Sequence, residues 1–519
     1  MELLESFHLI STNFLLIFAS VLLYIVYFFK TTFNYWSVRG VHEITFTQSL
    51  RSTLRLALRI DSFQSSFTDL YHLLEGHKYG GMYQFTTPTL IVRDPNLVQD
   101  FLIKGFSQFY DRVSPQNENL DILSGNLFTL TGDRWRNVRQ KVSPAFSSAK
   151  LKIMFHNLKE CAQELDNYLQ QLTAKTGYVD VEAKKLISDY TLDVIGACSM
   201  GIKCSSIGAG ETDLKRISRN VFRINFRRTV HALLEMINPK LPHLLRWKAV
   251  EPEVEEFFMT ACKEAAALRE HESTKRNDFL AILMNIRKSE ETLKQGAESH
   301  IDDNDLLFSD HIIAGIISSF FGAGFEPAAA TMTLCLYELA QHPEVLEKLY
   351  AEIQSVKEEF GEEITYESLK KFRYTTQVIE ETLRLYPVAA ALTRQCTGRF
   401  MIPESGVVID QGVKIFIPVW SLQRDAKYFP DPTAFDPERF SEANKEKILP
   451  GTYLPFGDGP RVCVAQRFAM MDMKYMLVTF LSKFTVHTTA ETNKKLVFDP
   501  SSFTLTPLGD IKLRFQRRI

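Results

Sequence analysis

The stretch Pro455–Met476, "PFGDGPRVCVAQRFAMMDMKYM", decides how the rest of the chain is read. Two glycines, Gly457 and Gly459, tighten a loop that delivers Cys463, and a helical pattern starts near Gln466. A helix beginning just past a cysteine aims backbone N–H groups and a positive dipole end at the sulfur. That setting lowers a thiol pKa and favours the thiolate, a metal ligand as well as a nucleophile. The alternative is a structural cysteine after a glycine turn.

Three earlier stretches bear on that choice. Glu381 and Arg384 in "EETLRLYP" stand at i and i+3, and Trp135 and Arg139 in "RWRNVRQ" at i and i+4, so a helix puts each pair on one face. Arg439 follows in "DPERF". An isolated Glu–Arg pair on a helix is a solvated salt bridge worth little. The order of the stretches gives them meaning. With Phe456, Gly459, Arg461 and Cys463 spaced FxxGxRxC, the chain resembles the cytochromes P450 over nearly its whole length.

The resemblance implies a mainly α fold with a small β portion, the cytochrome P450 fold behind an N-terminal transmembrane helix. It implies haem b (iron protoporphyrin IX) with Cys463 as the axial metal ligand, whose soft anionic sulfur promotes O–O cleavage. Glu381, Arg384 and Arg439 would form the network that fixes the cysteine loop. Trp135, Arg139 and Arg461 would hold the propionates, arginine's planar fork matching a carboxylate. Phe456, Gly457, Gly459, Ala323 and Gly324 would border the cofactor. "YQFTTPTLIVRDPNLV" and "FYDR" further resemble the insect xenobiotic-metabolising group.

One stretch departs from the family pattern. "GAGFEPAAAT", Gly322–Thr331, resembles the central helix over the haem, where the family usually has (A/G)Gx(D/E)T. Here Glu326 is followed by Pro327 and three alanines, so the usual threonine, which helps relay protons to iron-bound oxygen, has become proline. Proline in a helix interior costs about 3 kcal/mol or more, less where the helix is already kinked, as the family's is at this point. Glu326 is kept as an acid at the proton entrance, and Thr331 is the nearest hydroxyl beyond Pro327. Weak coupling, with reduced oxygen leaving as peroxide, is the expected consequence. Ala465 replaces the usual glycine two residues after the cysteine, and the proline-rich hinge after the anchor is missing around "RGVHEITF".

Acids and bases nearly balance at a net charge of −2, so no electrostatic case exists for nucleic acid. Seven scattered cysteines without a CxxC pair argue against zinc and against a disulfide framework. From Ser6 to Phe29 no acid or base interrupts the apolar run apart from His8; as a helix it would span roughly 36 Å, against a hydrocarbon core of about 30 Å. Glu2 and Glu5 stand where a signal peptide carries basic residues, and Lys30 and Arg39 follow the run, placing the body in the cytosol. The division is a membrane anchor, 1–30, and a single catalytic domain, 31–519. A signal peptide and a buried core helix are the competing readings.

"LRSTLRLALRIDSF" reads as an amphipathic helix suited to a bilayer surface or to an ordinary protein surface. "MYQF", "TLIVRDP", "FMIP", "GVVI", "VKIFIPVW" and "DIKLRF" read as short strands, and most windows between Pro95 and about Asn285 as helix. "IGAGETD" has only part of a dinucleotide fingerprint and reads as a loop.

Three functions fit. The first is a monooxygenase at the endoplasmic reticulum membrane, facing the cytosol, that takes electrons from a separate NADPH-cytochrome P450 reductase, with cytochrome b5 as an optional second donor, and oxidises a lipophilic small molecule. The second is a haem-dependent peroxide isomerase or lyase needing no NADPH, and the third a non-catalytic haem protein that binds lipophilic ligands.

Overall fold

The computed structural model describes residues 19–518, except 21, 25–26, 114–117, 119, 223–224, 239, 272–277 and 296–305. The apolar run assigned to an anchor therefore lies largely outside the described residues. Its described parts, including Leu22, Leu23, Tyr24 and Tyr27, are helical and exposed. Among the described residues one helix is long and apolar enough to cross a membrane, Asp310–Gln341, and it is mostly buried in protein, as a core helix is.

The longer helices, in chain order, are α1 (Phe46–Ala57), α2 (Phe63–Leu73), α3 (Gly132–Val142), α4 (Ser148–Leu172), α5 (Ala183–Met200), α6 (Asp213–Phe222) and α7 (Phe226–Ile237). They continue as α8 (Pro252–His271), α9 (Phe279–Gln295), α10 (Asp310–Gln341), α11 (Pro343–Phe360), α12 (Arg373–Leu385) and α13 (Gln466–Leu481). Their inward faces form one large apolar core centred on α10, with contributions from α4, α5, α12 and α13. Smaller clusters pack beneath the N-terminal sheet.

Ser309 starts α10 by accepting the Ile312 N–H, and Asp310 complements the positive end of the helix. The element runs uninterrupted through Pro327. Proline removes the donor that the Ala323 carbonyl would use, at about 3 kcal/mol. Phe325, Ala328 and Ala329 on either side are buried in the core, and that burial holds both halves in one helix. Helices α10 and α5 meet closely at Gly324, where a Cβ would stand 2.4 Å from Ile195 Cδ1.

Four strands make the main sheet in the order β1-β2-β7-β4: β1 (Tyr79–Gln84), β2 (Thr87–Val92), β4 (Leu392–Gln395) and β7 (Lys414–Ile417). The pair β1–β2 is an antiparallel hairpin, β2 runs parallel to β7 with Thr89 opposite Lys414, and β4 runs antiparallel to β7. The C-terminal β9 (Lys512–Arg517) lies between β3 (Tyr178–Glu182) and β8 (Phe484–Thr488), and β5 (Phe400–Met401) pairs with β6 (Val408–Ile409). Residues 207–212 form a loop ahead of α6.

The segment without a proline hinge is fastened by hydrogen bonds instead. Arg39 pairs with Asp410 at 2.5 Å and donates to the Val408 and Tyr35 carbonyls. Ile44 N–H bonds the Gly81 carbonyl at 2.8 Å, extending the sheet edge.

Candidate active site

The loop before α13 is a tight return. Gly457 N–H bonds Leu454 O at 3.0 Å, Val462 N–H bonds Gly459 O at 2.9 Å, and Cys463 N–H closes on Phe456 O at 2.9 Å. Gly459 has φ +68°, and a Cβ there would meet Leu102 O at 2.0 Å, so only glycine fits. Ala465 sits at φ −98°, so its methyl brings no backbone strain where glycine is usual, and its N–H points at the Cys463 sulfur.

Cys463 borders open space, yet burial by the surrounding protein pushes its thiol pKa up. The space it faces is therefore an internal void. The Ala465 N–H and the charges of Arg139 and Arg112 pull the other way and do not win. The sequence pattern predicted a lowered thiol pKa; the desolvation that a buried anion suffers outweighs one N–H and two guanidinium groups. A bound metal cation would reverse that balance, since a coordinating thiol gives up its proton.

The loop is held from behind. Arg384 makes a bidentate pair with Glu381 at 2.6 and 2.7 Å, both groups fully buried, and donates to the carbonyls of Gln423, Pro432 and Ala434. Arg439 comes within 3.4 Å of Glu381, and the Asp436 N–H bonds the same carboxylate at 2.9 Å. Gln423 carries the restraint to the cysteine loop. Its Nε2 bonds the Leu383 and Arg384 carbonyls, and its Oε1 accepts the Leu454 N–H at 2.8 Å.

Beside the void lies a cluster of cations. Arg139 reaches the Val462 carbonyl at 2.9 Å, and Arg461 stacks 3.9 Å over the Trp135 ring. Two arginines that no motif pointed to join them. Arg112 donates to the Arg461 and Phe128 carbonyls, and Arg394, on β4, is almost wholly buried. Burial and mutual repulsion pull Arg461 down to about 8, Arg394 to about 9 and Arg112 to about 10. Asp111, 3.8 Å from Arg461, is the carboxylate that opposes this charge on Arg461.

Trp135 Nε1 and Arg394 Nε are buried and have no partner among the described residues. Four guanidinium groups and two orphaned donors at the edge of a void demand an anion with several acceptor oxygens. The two carboxylates of a haem would fit that demand, and Cys463 would be the residue to hold its iron. Arg461 itself is committed to the carbonyls of Tyr110, Leu127 and Leu130, so it braces the loop and contributes charge.

On α10, Ala323 is exposed in a largely buried stretch, whereas Gly324 packs against Ile195. Thr331 Oγ1 donates to the Pro327 carbonyl at 2.9 Å, so this hydroxyl is tied to the backbone. Glu326 turns to a cleft of about 520 Å³ that it lines with Lys184, Asp189, Lys215, Ser502 and Thr506.

The family model "Cytochrome P450" matches residues 58–513. Cytochrome P450 6a2 of Drosophila melanogaster is 34% identical over 500 residues, covering 95% of this chain and 97% of that one. Cytochrome P450 6j1 of Blattella germanica is 33% identical, covering 95% of each chain, and cytochrome P450 9e2 of the same organism is 32% identical, covering 93% and 94%. Matched over most of its length and built around a cysteine loop, a buried Glu-Arg-Arg network and a cationic pocket, the chain belongs to the cytochrome P450 family and is a monooxygenase of that family.

Proposed function

We propose that the protein is a membrane-bound haem b monooxygenase that oxidises lipophilic small molecules, foreign compounds among them, and that couples weakly. Electrons come from NADPH through a separate reductase, with cytochrome b5 as a second donor. One catalytic body, residues 31–519, follows the anchor on the cytosolic face of the endoplasmic reticulum. Exposed Leu54, Leu58 and Ile60 at the end of α1 support contact with the bilayer.

When bound, the haem iron supplies the activation of O2 and the transfer of one oxygen atom to substrate. The chain's own groups do the rest. Cys463 would ligate the iron, Arg112, Arg139, Arg394 and Trp135 would hold the propionates, and the Glu381–Arg384 pair keeps the cysteine loop in register. Glu326 would pass on protons drawn from the cleft that it lines.

The weak coupling rests on one observation: the hydroxyl expected on α10 is missing at Pro327, and the nearest one, on Thr331, is bonded to the Pro327 carbonyl. A donor already spent on a backbone acceptor is a poor relay for water-borne protons.

The test is reconstitution with a microsomal reductase and a panel of lipophilic probes, following NADPH, hydrogen peroxide and product together. NADPH-dependent oxygenated product, with most of the flux in peroxide, is expected. Turnover of organic hydroperoxides without NADPH, and no NADPH-driven product, would make the protein a peroxide isomerase or lyase. Spectral binding of ligands with no product in either assay would make it a binding protein.

A further inference from the structure

Glu326 is anchored by hydroxyls that come from the far end of the chain. Its Oε1 accepts from Ser502 Oγ at 3.1 Å and from Thr506 Oγ1 at 3.0 Å. Those two and Thr504 close a ring, with separations of 3.1 Å (Ser502 to Thr504), 3.2 Å (Ser502 to Thr506) and 3.1 Å (Thr504 to Thr506). Each hydroxyl donates once and accepts twice, so three protons alternate among these five contacts, and a proton can pass along the group while the oxygens stay in place.

The turn that carries the ring is rigidly placed. Asp499 Oδ1 takes the Ser501 N–H and Oγ at 2.8 and 2.7 Å, Asp499 N–H bonds Thr506 O, and Leu505 N–H bonds Val388 O, each at 2.9 Å. Thr504 and Thr506 are buried. Ser502, Thr506 and Glu326 line the same cleft, which reaches the protein surface at Glu211 and Arg219, both more than half exposed. On the cleft wall Lys184, bonded to the Pro507 carbonyl, feels the charges of Asp499 and Glu326.

We propose that Ser502, Thr504 and Thr506 form a hydroxyl relay on the cleft side of Glu326, loading it with protons drawn from the cleft, upstream of the hydroxyl that position 327 has lost. The idea rests on the monooxygenase reading above. A proton entering from a solvent acid binds one ring oxygen, which releases its own proton to the next hydroxyl. The last of them protonates Glu326 Oε1. Only O–H bonds form and break, and no oxidant or reductant is consumed. The ring residues act through Glu326, so they are positioning and relay residues.

The test uses the full chain with haem and reductase, comparing S502A/T506V with the hydroxyl-keeping S502T/T506S. The expected loss of product per NADPH in S502A/T506V is about tenfold, one power of ten below the low end of general-acid factors because cleft water partly replaces the hydroxyls. The solvent deuterium isotope effect on product formation should rise, and S502T/T506S should behave as native. A turnover-free reading is the infrared carboxylate band of Glu326, assigned through E326Q, which should shift in S502A/T506V.

An unmoved band with an unchanged isotope effect in folded S502A/T506V would overturn the proposal. Should that variant lose haem, S502A and T506V singly, each leaving one donor on Oε1, give the same readings at smaller size. Pro327→Thr separates the two ideas. If it raises product per NADPH while S502A/T506V changes nothing, the coupling reading stands and the relay falls. If it changes nothing while S502A/T506V cuts product, the relay stands and the role given to position 327 falls.

Discussion

The two sides of the void are built to different standards. Below it, Cys463 sits on a loop closed by backbone bonds, clamped by a fully buried ion pair and linked to it by Gln423. On the other side, α10 carries Pro327, the run Ala328–Ala330 and Glu326, whose partners lie 176 and 180 residues away. The ligand side is over-determined and the proton side is improvised. A fold can lose a hydroxyl from a packed helix without losing its shape, because burial, and not that hydroxyl, holds the helix. It cannot lose a buried charge so easily.

That contrast can be broken by substitution. The largest effect should come from Arg384→Ala, which leaves Glu381 buried without its main partner and should cost about 3–5 kcal/mol. Thermal unfolding and haem incorporation would show it, and a variant that folds and loads haem normally would end the claim that the ligand side is clamped.

Next is the pH response behind the cysteine helix. Asp472 on α13 is buried and accepts from Tyr190 at 2.8 Å, and burial raises its carboxyl from 3.8 to about 7. The native state therefore holds a proton that the unfolded chain has shed. Its contribution to stability is full below about 4 and is lost as pH rises toward about 7, at no more than about 1.4 kcal/mol per pH unit. Asp472→Asn, which keeps an acceptor for Tyr190, should remove that slope from the native-minus-variant difference in denaturant unfolding.

The smallest effect is at the propionate pocket. Trp135→Phe removes one orphaned donor and should speed haem loss to an apo-acceptor by up to about tenfold, the worth of one hydrogen bond. No change would mean that the indole N–H does not face the cofactor.

Much of the ligand side was legible in the sequence because its parts are local: a glycine loop, an i, i+3 pair and an i, i+4 pair have fixed spacings. Most helices and the strands β1, β2, β5, β6, β7 and β9 were legible for the same reason, whereas β3, β4 and β8 were not. Arg112 and Arg394 were not, since each is a lone cation that gains meaning only when folding sets it beside Arg461. "FYDR" held Arg112 in plain view without any spacing to mark it. The direction of the Cys463 shift depends on how much protein surrounds the sulfur, which no motif records. The ring on Glu326 is a long-range contact between an ordinary helix acid and an ordinary Ser/Thr-rich turn.

The most direct test of the account is product formed per NADPH in the native protein beside Pro327→Thr, reconstituted identically. Flux moving from hydrogen peroxide into product in the variant is the predicted result. Native turnover already well coupled on substrates without a hydroxyl, and unaltered by Pro327→Thr, would contradict it.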